Sequence, residues 1–159
     1  MNKTLYRIIS VLLIIIWMFA IFKLSAMDGK ASDNGSRKVV KKIVTETRKD
    51  YNEKQVDIAV ERANTPFRKC MHASEYFVLA LLLFNFINTF NIKKYYKYIG
   101  SLIIAFLYAC TDEFHQTFVL GRGGQFKDVM IDTSGAILGL IVLAIIMCLL
   151  KKRFPKEAK

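Results

Sequence analysis

Apolar residues fall into four long blocks: Leu5 to Leu24, Ala73 to Ile92, Tyr98 to Leu120 and Phe126 to Leu150. About 20 apolar residues in a helix cross a bilayer core. Each block therefore predicts a span, and the chain reads as an all-α membrane protein with four transmembrane helices in a single domain, 1–159. The one polar stretch, Met27 to Met71, carries Val39, Val40, Ile43 and Val44 at helical spacing among Arg37, Lys38, Lys41 and Lys42. That pattern predicts an amphipathic helical segment in the first loop, lying in a headgroup plane or capping the bundle from solvent. Val56, Ile58, Ala59 and Val60 are too weak a pattern to define an element. Pro66 is expected to break the chain, with Thr65 extended before it.

Composition sharpens this reading. A 53% hydrophobic content and a mean hydropathy of +0.29, concentrated in blocks, point away from a soluble enzyme. The net charge of +11 would suggest nucleic acid in a soluble chain. Here it is scattered over loops without a recognition motif, so no nucleic acid is expected, and anionic headgroups and topology signals account for it. Cys70, Cys110 and Cys148 form no CxxC pair, which excludes a zinc ribbon. A Cys70–Cys110 disulfide is an alternative to plain apolar packing, which is favoured. The basic start, Lys3 and Arg7, suits a cleaved signal or a retained span. Leu24-Ser25-Ala26 is a poor cleavage site, so a retained span is expected. Short basic segments (Lys93, Lys94 and Lys97, then a tail with Lys151, Lys152, Arg153, Lys156 and Lys159) favour N-in, C-in. The eleven Lys/Arg of the first loop run against that orientation.

Candidate chemistry is concentrated between residues 108 and 139. Asp112, Glu113, His115 and Gln116 end one apolar block, and Gln125, Asp128 and Asp132 begin the next, across the turn Gly121-Arg122-Gly123-Gly124. A charged side chain deep in a bilayer costs at least about 2.5–3.5 kcal/mol. Such groups must face one another or a wet cavity. His72, Glu75 and Tyr76 share a face at the entry of the second span, near the same membrane surface. By helical rise, Asp112 sits about 12 Å below Leu120 and Asp132 about 9 Å below Phe126. Asp112, His115 and Gln116 share one helix face, whereas Glu113 points off it by about 100°. Gly135 and Gly139 permit close helix approach. Asn85, Asn88 and Asn91 are candidates for interhelical hydrogen bonds.

Several kinds of chemistry suit this set. Asp112, His115, Asp128 and Asp132 are candidate catalytic acid–base groups. His72, Glu75, Tyr76, Glu113, Gln116, Arg122 and Gln125 would bind the substrate, Arg122 and the turn amides meeting an anion. His72, His115, Asp112 and Asp132 form a mixed set for a divalent metal such as zinc or manganese. The competing readings are a binding or scaffold protein whose polar cluster is structural, and a small transporter subunit, for which four spans are few unless the chain forms an oligomer.

Phe67-Arg68-Lys69-Cys70-Met71-His72 with Glu75-Tyr76, then Thr111-Asp112-Glu113-Phe114-His115-Gln116, Gly121-Arg122, Gln125, Asp128-Val129, Asp132 and Gly135 together resemble the VanZ-like family of small membrane proteins. Ser25, Ser32 and Ser36 fit more loosely. The resemblance implies a four-span protein of the bacterial plasma membrane associated with reduced susceptibility to teicoplanin-type lipoglycopeptides. The expected partners are membrane lipids and a lipid-linked cell-wall precursor or the lipoglycopeptide itself. The family supplies no mechanism.

Overall fold

The computed structural model describes residues 2–153, and every regular element among them is helical. Five helices follow in order: α1 (Lys3–Ser25), α2 (Gly29–Thr47), α3 (Glu53–Ile87), α4 (Lys94–Gln116) and α5 (Phe126–Arg153). Lys156 and Lys159 of the basic tail lie outside the described residues. Local chemistry sets the helix starts. Asn2 caps α1 through Thr4 N and Asp28 caps α2 through Lys30 N. Asn52 and Gln55 form a reciprocal capping box at α3, satisfying two otherwise unpaired N-terminal groups.

Helix α3 is the axis of the molecule and touches each of the other four, α5 most extensively. At 35 residues it is about 52 Å long, longer than a bilayer core is thick. Its second half carries the main core, where Tyr76, Leu79, Ala80, Leu83 and Phe84 are buried against Ala105 and Ala109 of α4 and Ala136 and Leu140 of α5. Its first half pairs with α2 around a separate small core of Val40, Val56 and Val60. The periodic apolar stripe of α2 thus belongs to a helical hairpin, with Val40 buried and Val39 and Ile43 left exposed. Charges stitch the hairpin: Arg37, braced by Asp33 of its own helix at 2.6 Å, reaches Glu61 of α3 at 2.7 Å, and Lys41 meets Asp57 at 3.2 Å. The guanidinium of Arg37 holds the Glu61 carboxyl below its usual value.

Two expectations are corrected here. Residues 53–66 are helical, and Pro66 lies inside α3 with Thr65 in the helix. Proline removes one N–H and crowds the preceding turn, at a cost of about 3 kcal/mol, but packing of Val56, Val60 and Phe67 in the small core holds the helix through it. Span boundaries also move: α3 stops at Ile87 and α4 runs from Lys94 to Gln116, rather than 73–92 and 98–120.

Three described helices are long and apolar enough to cross a membrane, namely α1, α3 and α5. Helix α4 falls short of that standard because Lys94 and Lys97 at one end and Asp112 and Glu113 at the other bracket its apolar middle. Helix α1 lies antiparallel to the second half of α3. At one end, Arg7 donates to Thr89 Oγ1 (3.0 Å) and Thr89 O (3.1 Å), and Tyr6 donates to Asn85 Oδ1 (2.6 Å). Asn88 accepts from Lys97 at 2.9 Å. At the other, Trp17 Nε1 donates to Glu75 O and Tyr108 Oη to Met18 O. Cys70, Cys110 and Cys148 are free thiols.

Candidate functional site

The polar ends of α4 and α5 meet the middle of α3 beneath the Gly121–Gly124 turn. Gly121 has φ +73°, a left-handed conformation that only glycine adopts readily, and Gly29 N at the start of α2 donates to Leu120 O at 3.0 Å beside it. Arg122 fixes the turn to α1: Nε donates to Met27 O (2.9 Å), Nη2 to Leu24 O (3.1 Å) and Nη1 to Gln116 Oε1 (3.2 Å). The guanidinium thus takes one carbonyl from the last turn of α1 and one from the residues just beyond it, where helical bonding gives out. Burial, and after it the nearby Arg68, pull Arg122 below the usual arginine value.

Gln116 is the hub beneath. Its amide nitrogen donates to Asp112 Oδ2 (3.2 Å) and Glu113 Oε1 (3.0 Å). Glu113 Oε2 in turn accepts from the Gln125 backbone N–H at 2.9 Å, so this carboxylate takes a backbone donor at the entry to α5. Glu113 is buried although it lies off the Asp112 face, because the turn folds back over it. Asp128 pairs with Lys69 at 3.3 Å. His72 Nδ1 stands 3.5 Å from Glu75 Oε2, an ion-pair distance without a hydrogen bond.

Below this bonded layer lie polar atoms that have no hydrogen-bond partner among the described residues. They include both oxygens of Asp132, Asp112 Oδ1, Tyr76 Oη and Ser25 Oγ. Asp132 is 1% exposed and Asp112 3%. An unsatisfied buried polar group costs about 1–3 kcal/mol, so such a cluster is seldom kept for stability alone.

Two cavities open here. The polar one, about 210 Å³, is lined by Arg68, Lys69, His72, Arg122, Asp128 and Asp132, with Glu113, Gln116 and Gln125 completing the wall. The second, about 410 Å³, is mainly apolar, with Leu24, Met27, Val39, Phe67 and Met71 beside Glu75. Arg68, His72 and Arg122 line both, so they form the seam between a polar chamber and an apolar groove.

Not every expected residue joins the chamber. His115 turns away and stacks on Phe22 of α1, ring centroids 4.5 Å apart. Asp112 and Tyr76 are buried behind the lining. Among the described residues, no three His, Cys, Asp or Glu side chains are arranged to hold a metal ion, so His72, His115, Asp112 and Asp132 do not form the ligand set considered above. Arg68, Lys69 and Thr65 were missed as site residues. Their signal was present, because Thr65, Arg68 or Lys69, and His72 repeat at helical spacing, but the expected break at Pro66 hid it.

The family model described as VanZ/LLP1 matches residues 10–148, which takes in both cavities. The chain belongs to the VanZ-like family. No curated protein and no solved structure matches it. In this VanZ-like chain the stretch from Asp112 to Asp132 supplies most of the chamber, and α3 supplies the facing wall.

Proposed function

We propose that this VanZ-like protein binds an amphiphilic or lipid-linked cell-envelope molecule in a pocket facing outward from a bacterial plasma membrane. The single observation carrying this reading is the shared seam. A polar chamber and an apolar groove joined along Arg68, His72 and Arg122 suit a ligand with a polar head and an apolar chain. Recognition is favoured over bond-making by the state of the candidate catalytic groups. Of these four, Asp128 is paired, His115 lies against Phe22 and Asp112 is buried behind the chamber lining, which leaves Asp132 as the one unpaired acid of the set on the chamber wall.

In this reading α4 is a fourth span. It exposes Ile99, Ile103, Ile104 and Leu107, and it buries Ser101, Ala105, Ala109 and Asp112. That places apolar surface toward lipid and polar groups toward the bundle, as the hydrocarbon core requires. Four spans put Lys93–Lys97 and the basic end of α5 together in the cytoplasm, with the hairpin and chamber outside.

The test is expression in a teicoplanin-susceptible bacterium. Cells making the protein are expected to tolerate several-fold more teicoplanin, and Asp132→Asn and Arg122→Ala, at matched membrane levels, to lose that tolerance. Unchanged susceptibility would end the antibiotic part of the reading. Full tolerance in both variants would remove the pocket from it.

A further inference from the structure

The charges around the seam are unevenly partnered. Lys69 has Asp128 at 3.3 Å and Arg68 has Asp33 at 3.6 Å. Arg122 spends its bonds on two backbone carbonyls and an amide oxygen, with no carboxylate in ion-pair range among the described residues. Nη1 and Nη2 each carry a second N–H. Two half-buried guanidiniums thus border both cavities, and that of Arg122 has no carboxylate within ion-pair distance among the described residues. In the polar chamber the opposite deficit occurs. Asp132 lines the chamber and both its oxygens lack a donor, and a buried acid is costly to ionise until a positive donor meets it.

From this we infer that the ligand is a phosphodiester amphiphile with a primary ammonium in its head, its phosphate between Arg68 and Arg122, its ammonium on Asp132 and its chain in the groove. The inference rests on the amphiphile reading above and specifies its ligand. The order of parts follows from connectivity: in such a molecule the phosphate joins chain and head, and the arginines stand where groove joins chamber. Planar guanidinium donors suit phosphate oxygens. A chamber of about 210 Å³ lies below the usual range for drug-sized ligands, which favours a small head such as phosphoethanolamine. A trimethylated ammonium has no N–H to offer Asp132. A glycerol head offers hydroxyls without charge.

The test is lipid retention by the purified full chain, read by native mass spectrometry after exchange from nanodiscs containing equal parts phosphatidylethanolamine, phosphatidylcholine, phosphatidylglycerol and diacylglycerol. The parent protein is expected to keep phosphatidylethanolamine about tenfold over the other phospholipids. Asp132→Asn should erase that preference while phospholipids stay ahead of diacylglycerol. Arg68→Gln, which leaves the bonds of Arg122 to α1 in place, should weaken all three phospholipids alike. Equal retention of the three phospholipids by the parent protein, or an undiminished ethanolamine preference in Asp132→Asn, would overturn the inference and leave amphiphile binding standing. Retention of no lipid of any kind would overturn both.

Discussion

At Gln116 one side-chain amide serves three partners, Asp112, Glu113 and Arg122. Its nitrogen is the donor that lets two neighbouring carboxylates sit buried on α4, and its oxygen holds the arginine that closes the turn. Replacing it with glutamate removes both donors and adds a third acid. Gln116→Glu is expected to destabilise the fold by about 3 kcal/mol, with a lower unfolding temperature and less protein in the membrane. Gln116→Leu, which removes the same bonds without adding charge, should cost less. Thermal unfolding of the detergent-purified variants decides this. Glutamate tolerated as well as leucine would mean that the acids do not depend on this amide.

Helices α3 and α5 approach so closely that a Cβ at Gly135 would strike the Ala73 carbonyl, and one at Gly139 would come within 2.8 Å of Phe77 O. Overpacking of this kind costs about 1–3 kcal/mol, so Gly135→Ala should lower the unfolding temperature measurably. Gly35, mid-helix in α2 with open space around its Cβ position, supplies the contrast, since alanine there should add about 0.5–1 kcal/mol. Unchanged stability in Gly135→Ala would show that the helices can part without cost.

These elements also mark how far the sequence could be read. Long apolar blocks and helical spacing exposed the helices, because both features are local. Gly135 and Gly139 announced a close contact without naming its partner. The continuation of α3 through Pro66 was hidden because tertiary packing in the small core overrides a strong local breaker. The inward position of Glu113 was hidden too. It depends on a turn folding back to bring Gln125 N to its carboxylate, which helical periodicity does not encode. The same applies to His115, whose place against Phe22 is set by the docking of α1.

For the molecule as a whole, the outward-facing chamber proposed above has a direct chemical test. Cys70 is an exposed thiol in the turn of α3 between Arg68 and His72, beside the seam. With Cys110 and Cys148 changed to serine, a membrane-impermeant maleimide added to intact cells is expected to label Cys70. Labelling only after permeabilisation would turn the protein over and place the chamber in the cytoplasm.

The attachment of Arg122 to Leu24 O and Met27 O makes α1 more than a tether. The carbonyls at and just past its end act as the lintel on which the glycine turn rests, and the turn covers the acids. An unrelated hydrophobic leader grafted in its place could still hold the chain in a bilayer. It would reproduce this support only if it stopped at the same depth, with those backbone oxygens facing the arginine.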